Sequence, residues 1–292
     1  MDCRRAPVLW LGEPGGEVVT EVGGKAASLS RLAARYAVPP GFCLTVAAYT
    51  EWSSALLRGE CPAEFERIVG EGLATLGERS GDDHPVVAVR SSAVDEDGLD
   101  ASFAGLFVSC LNIRGVESTV AAVRRCWASA LDARVRAYRA ERGLEDVGVA
   151  VLVQLMVKAD ASAVVFSTNP AGDPDELLIN ANYGLGESVV GGLASPDSWY
   201  LRREDLSVSR LAVGEKAMMT IYSEEGGTRE VAVPRTLRRR PCLSTAQAEE
   251  LGRLALSLEA DVGRPVDIEC VFRGDELMLV QCRPITTSVE RR

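Results

Sequence analysis

Histidine is almost missing from this chain: there is one in 292 residues, His84, and the eight cysteines form no CxxC pair. Together these exclude a zinc cage. Aromatic residues are scarce too, at 5%, so aliphatic side chains and alanine must fill the core. No apolar run approaches the roughly 20 residues that a bilayer span needs, and the first residues lack the basic-then-apolar layout of a signal peptide. The expected location is therefore the cytoplasm, where Cys3, Cys43, Cys61, Cys110, Cys126, Cys242, Cys270 and Cys282 stay reduced and mostly buried. Basic residues are in deficit, 32 against 42 acidic, for a net charge of −10. That argues against a nucleic acid or an anionic membrane as partner, because either needs a basic face.

What remains is a chain long enough for two packed lobes. The first is expected over residues 1–145 and the second over 146–292. In the first, a strand at 8–11 leads to a break at Gly23-Gly24, then to a helix with Leu29, Leu32, Ala33 and Tyr36 on its apolar stripe. Helices follow at 47–57 and 63–78. A buried strand at 86–89 ends in Arg90-Ser91-Ser92, and a long amphipathic helix at 116–142 carries Val120, Val123, Trp127, Leu131 and Val135 inward. The second lobe reads as strands at 149–157 and 161–167 joined by a polar turn, another at 177–181, and a variable β region over 199–233. The arginines of 235–240 read as a solvated linker. Ser244 with Gln247 three residues on is a capping-box pattern, opening a helix that ends before the final hairpin.

That hairpin is the most informative segment. Side chains alternate faces along a strand, so Asp267 and Glu269 share one face, and Gln281 and Arg283 share one face of the returning strand. A three-residue loop, Gly274-Asp275-Glu276, sets Glu269 across from Gln281 and Asp267 across from Arg283. The same register sets Ile268, Cys270 and Phe272 against Cys282, Val280 and Met278. Two carboxylates and a carboxamide are hard oxygen ligands that suit Mg²⁺, and an arginine suits a transferring phosphate. The competing account is an exposed ribbon with a surface ion pair.

Three segments of the first lobe carry phosphate-binding chemistry. Gly23-Gly24-Lys25 places close-approach backbone, free N–H groups and a mobile cation at a helix start, although it is not a Walker A loop. Arg90 leaves the end of an apolar strand, with an ion pair to Asp95, Glu96 or Asp97 as the alternative. Ser102, Phe103, Ala104 and Gly105 have the makings of a flap over phosphates, or of a plain β-turn.

The ordered set GGKAASL, PPGF, VAVRSSAVDED, SFAG, VQLMV, NYGLGE, SPD, DIE and VQCRP resembles the nucleotide-binding domain of phosphoenolpyruvate synthase, pyruvate phosphate dikinase and rifampicin phosphotransferase. The resemblance runs over residues 8–285. It implies an α/β (α+β) fold, ATP-grasp-like, with two lobes of antiparallel-rich sheets clamping ATP, and ATP with Mg²⁺ as cofactors. It gives Lys25 and Arg90 to the phosphates, Ser102, Phe103, Ala104 and Gly105 to the loop over them, and Gln154 with the backbone of Met156 and Val157 to the adenine. Glu187 falls in a glycine-rich stretch beside the nucleotide. Asp267, Glu269 and Gln281 match the metal-binding strands, and Arg90, Glu269, Gln281 and Arg283 the catalytic set. Leu106, where many relatives carry a polar residue, and Ala163, a frequent glycine, depart from the pattern without removing a charge.

His84 precedes Pro85 in a polar loop without the carrier motif of the family's phosphohistidine domain. The expectation is an ATP-dependent phosphotransferase that passes a phosphoryl group to a histidine on a separate polypeptide. The alternatives are a kinase or ATP-grasp ligase acting directly on a small-molecule acceptor, and a nucleotide-binding module without turnover.

Overall fold

The computed structural model describes residues 6–94, 108–132, 148–170, 172–190 and 195–285. Two compact units emerge: Met1–Met156 with Glu224–Gly227, and Val157–Ser223 with Thr228–Arg292. The division falls between Met156 and Val157, not between 145 and 146. The strand expected at 149–157 belongs to the first unit, where it is the middle of a sheet.

In the first unit, β1 (Val8–Trp10), β2 (Gly41–Leu44), β3 (Val87–Ala93), β4 (Ser109–Ile113) and β5 (Val149–Leu155) form an antiparallel sheet in the order β1-β2-β5-β3-β4. Its core face holds Val87, Val89, Val151 and Val153. These pack with Trp52, Phe65 and Trp127 from α2 (Val46–Leu57), α3 (Ala63–Ser80) and α4 (Val116–Ser129). Few aromatics suffice because they cluster, with the Phe65 ring centroid within 5.5 Å of those of both Trp52 and Trp127 in tilted contact. Helix α4 is shorter than expected: it stops at Ser129, which leaves Leu131 beyond its end and exposed. Val135 lies outside the described residues.

Helix α1 (Val19–Leu32) lies on the opposite face of this sheet, against β3 and β5. It is two helical pieces joined at Gly23, whose φ of 77° and ψ of 169° are not helical. Only glycine populates that region freely. Contact requires glycine as well, since a Cβ there would lie 2.0 Å from the Ser92 carbonyl oxygen.

The second unit is built on an antiparallel six-stranded sheet in the order β13-β12-β6-β7-β8-β9. Its strands are β6 (Ala161–Phe166), β7 (Glu176–Tyr183), β8 (Asp197–Arg202), β9 (Val208–Ala212), β12 (Val266–Arg273) and β13 (Glu276–Pro284), and β10 (Met218–Tyr222) pairs with β11 (Thr228–Ala232). One face is buried under α6 (Thr245–Val262), whose Gly252 meets the Leu201 side chain. Ile268, Cys270, Val165, Ile179 and Leu177 share that face, as the ladder pairings require. The other face is half-exposed through Glu269, Val164, Asn180 and Ser198, each paired with the next across four strands. Ser244 caps α6 in a complete capping box with Gln247, as its spacing predicts. The 235–240 stretch is largely exposed, and Arg239 pairs with Glu215 in solvent.

Candidate functional site

The β12–β13 hairpin carries the polar quartet. Glu269 is opposite Gln281 and Asp267 is opposite Arg283, in the register that period-2 alternation predicts. The turn itself is different. Arg273 pairs with Glu276, so the loop is the two residues Gly274 and Asp275, and Gly274 adopts φ 60°. A bulge then adds one residue to β13: Cys270 faces Leu279 and Phe272 faces Leu277, instead of Val280 and Met278. The shorter turn and the bulge cancel, so the register is regained at Glu269.

Arg283 donates from Nε (2.9 Å) and Nη2 (2.7 Å) to the same oxygen, Asp267 Oδ2. Asp267 is buried at 7% exposure. Burial pushes its carboxyl above the usual aspartate range, Arg283 pulls it back without prevailing, and the Glu269 charge adds to the upward push. Two adjacent carboxylates, with the Gln281 carboxamide alongside, have the chemistry of oxygen ligands that suit a divalent cation. The hairpin brings two carboxylates together, and among the described residues no group of three or more His, Cys, Asp or Glu is gathered anywhere.

The first unit brings three of its expected site residues onto one sheet face. Arg90 lies inside β3, between Leu152 of β5 and Ser109 of β4. It is not at a strand end, because the ladder continues through Ser91, Ser92 and Ala93 despite their polarity. Gln154 lies on the neighbouring strand opposite Ala88, two residues from Arg90 and so on the same face. The kink at Gly23 presses α1 onto this end of β3. There Ser92 Oγ accepts from Ala26 N (3.1 Å), and Lys25 Nζ donates to the Ser91 carbonyl (3.0 Å). Lys25 is only 6% exposed. A buried ammonium beside the peptide that follows Arg90 concentrates positive charge at one spot of an acidic protein.

The residues expected at the adenine are held more tightly than the sequence suggests. The Gln154 amide donates to the Pro39 carbonyl (3.1 Å), and Met156 N donates to the Val86 carbonyl (2.8 Å). Met156 Sδ accepts from Asn112 N. Val157 begins the second unit and is buried. Glu187 is exposed at the start of α5 (Glu187–Val190). Ser102, Phe103, Ala104, Gly105, Leu106, Asp95, Glu96 and Asp97 lie outside the described residues.

One buried ion pair was not legible beforehand. Lys216 Nζ lies 2.5 Å from Asp197 Oδ1, both side chains being fully buried. Asp197 also accepts from Gly214 N (3.0 Å) and Cys242 N (2.8 Å), and Lys216 donates to the Gly214 carbonyl. Through Ala181, Ala163 and Cys270, Asp197 belongs to the sheet face opposite Glu269. Its place is structural: it ties β8 to the 214–216 segment and to Cys242. The signal was in the composition, since lysine occurs at only three positions, 25, 158 and 216, among 32 basic residues.

Comparison with known proteins now adds to the geometry. Residues 51–292 match the family described as pyruvate phosphate dikinase, AMP/ATP-binding domain. The chain is 33% identical to a probable phosphoenolpyruvate synthase of Methanocaldococcus jannaschii, over 96% of this chain and 27% of the relative. It is 36% identical to the rifampicin phosphotransferase of Streptomyces sviceus, over 96% and 36% of the respective chains. With the prodigiosin synthesizing transferase PigC of Serratia marcescens the identity is 32%, over 92% and 32%. The chain therefore spans only about a quarter to a third of these relatives. No described helix is long and apolar enough to cross a membrane. The chain belongs to the pyruvate phosphate dikinase AMP/ATP-binding domain family.

Proposed function

We propose that this chain is the ATP-cleaving part of a dikinase-type phosphotransferase, ATP-grasp-like in fold, and that it passes a phosphoryl group to a histidine on a separate polypeptide. The observation that carries the reading is the hairpin, where a buried Asp267, ion-paired with Arg283, adjoins Glu269 and Gln281 on one face.

In this reading Asp267, Glu269 and Gln281 hold Mg²⁺, which supplies charge to the ATP phosphates when bound. Arg283 is already oriented by Asp267, so its guanidinium charge meets the developing negative charge without reorganisation. Lys25 and Arg90 neutralise phosphate oxygens from the first unit. Their rigid support, in a buried ammonium and a central strand, favours fixed positioning over flexible capture. Ser102, Phe103, Ala104 and Gly105 cover the phosphates, while Gln154, Met156 and Val157 read the adenine. Glu187 lies beside the nucleotide.

A second reading, direct transfer to a small molecule, draws support from two relatives whose names specify rifampicin and prodigiosin chemistry. Incubation with ATP labelled at the β or γ phosphate, with and without a phosphohistidine domain added, separates the two. Acid-labile label on the added domain supports the relay. Label transferred only to a small acceptor supports direct transfer, and no ATP consumption under either condition refutes both.

A further inference from the structure

The first unit carries a second basic surface, away from Lys25 and Arg90. Helices α2, α3 and α4 cover the sheet face opposite α1, and a cleft of about 350 Å³ opens between the end of α2 and the second half of α4. Leu57, Gly59 and Ala128 line it with apolar or minimal side chains, and Arg58, Arg124 and Arg125 line it with charge. Helical spacing makes the arrangement: Ala128 is four residues from Arg124 and three from Arg125, so both guanidinium stems neighbour a side chain too short to fill the space between them.

The charge there is unmatched. Elsewhere in this acidic protein exposed arginines find carboxylates, as Arg67 does with Glu71, Arg239 with Glu215 and Arg273 with Glu276. Arg124 and Arg125 are both exposed, and among the described residues neither has an ion-pair or hydrogen-bond partner. Arg58 is held by Ser54 Oγ (2.7 Å) and by Glu60 (3.1 Å), an exposed pair that is worth little and uses only part of its donor fork. The α2 carbonyls that would oppose an anion are occupied, since those of Ser54, Ala55 and Leu56 accept from the amides of Arg58, Gly59 and Glu60. Three guanidiniums against one carboxylate leave an excess of positive charge that a bound anion would relieve.

We propose that this cleft is a binding site for a small phosphate monoester, its phosphoryl group held by Arg124, Arg125 and Arg58 and its apolar body against Leu57 and Ala128. A phosphoryl dianion carries two charges and three acceptor oxygens, enough for several guanidinium forks, whereas a carboxylate offers one charge and two oxygens. The cleft volume is at the small end of ligand sites, which suits a molecule of that size. The site is independent of the phosphate roles read for Lys25 and Arg90.

The test is calorimetric titration of the full chain with phenyl phosphate at low salt, beside benzoate as the carboxylate counterpart. Phenyl phosphate should bind the parent and Lys25→Ala alike, and more tightly than benzoate. Replacing Arg124 and Arg125 together with alanine should weaken it on the order of tenfold, and added salt should weaken it in the parent. Both arginines are exposed, so the fold should survive their loss, and circular dichroism checks this. Ala128→Glu keeps all three arginines but sets a carboxylate four residues from Arg124, and it should weaken phenyl phosphate to a similar degree. The proposal is overturned if phenyl phosphate does not bind the parent, if the arginine and Ala128 variants bind it as the parent does, or if benzoate binds equally well. Loss of binding in Lys25→Ala alone would place the phosphate among the nucleotide residues and equally overturn it.

Discussion

Replacing Gly23 with alanine is the sharpest probe of how the first unit holds Lys25. The backbone at Gly23, φ 77° and ψ 169°, lies in a region that costs a side-chain-bearing residue of order 1–3 kcal/mol. The added Cβ would also sit 2.0 Å from the Ser92 carbonyl oxygen, 2.4 Å from its carbon and 2.5 Å from Ser92 Oγ. Two of those three atoms are backbone in a central strand, so α1 must move instead. Movement breaks the Ala26 N to Ser92 Oγ bond, at about 1 kcal/mol, and pulls Lys25 from the Ser91 carbonyl. The sum is about 3 kcal/mol or more, which at this size means a melting point lower by roughly 6–12 °C. Thermal melts and ATP titration should show both a lower transition and weaker binding, whereas Gly81→Ala, at a helix end with open space around it, should leave ATP affinity unchanged. A Gly23→Ala protein that melts and binds ATP like the parent would refute the claim that close approach of α1 to β3 positions Lys25.

Other outcomes follow from single contacts. Lys216→Met strands Asp197 in the core but leaves it two amide donors, so the loss should fall near the lower end of the buried-pair range, about 3 kcal/mol by urea unfolding. Burial pushes Glu259 up, but its hydrogen bonds from Arg203 and Ser167 and the Arg203 charge prevail and leave it below the ordinary glutamate value. A lowered carboxylate stabilises the fold above its unfolded value and loses that contribution as pH falls through its folded value. Glu259→Gln should thus lower stability at neutral pH and flatten the loss below about pH 4.5, as seen in melts across pH. His84 is exposed in the loop after α3, its N–H bonded to Asp82 Oδ1, so His84→Ala should leave every ATP-derived phosphoprotein signal unchanged in a labelled gel assay.

Much of this was legible because it follows from local rules. The capping box at Ser244 and the pairing of Glu269 with Gln281 depend only on neighbours in sequence and on period-2 alternation. The turn and bulge escaped detection because they cancel: one residue fewer in the loop and one more in β13 leave the distal register unchanged. Arg90 was misplaced to a strand end because three polar residues look like a boundary, whereas a strand flanked on both sides by ladders continues regardless of side chain. The Asp197–Lys216 pair joins residues brought together by the reversal of the chain between β8 and β9 and by the segment that follows β9, which no spacing rule reports. Gln154 matched its family motif, yet its bond to Pro39 arises from packing of β5 beside the segment before β2.

The role proposed for the hairpin in metal-assisted phosphoryl transfer is tested most directly by the Mg²⁺ dependence of ATP cleavage in Glu269→Gln, which keeps the side chain's shape and removes one charge. The expected result is an intact fold, nearly unchanged nucleotide binding, and turnover that falls at least tenfold at limiting Mg²⁺, a factor worth about 1.4 kcal/mol of barrier. Undiminished turnover at limiting Mg²⁺ would contradict the assignment of Asp267, Glu269 and Gln281 to the metal.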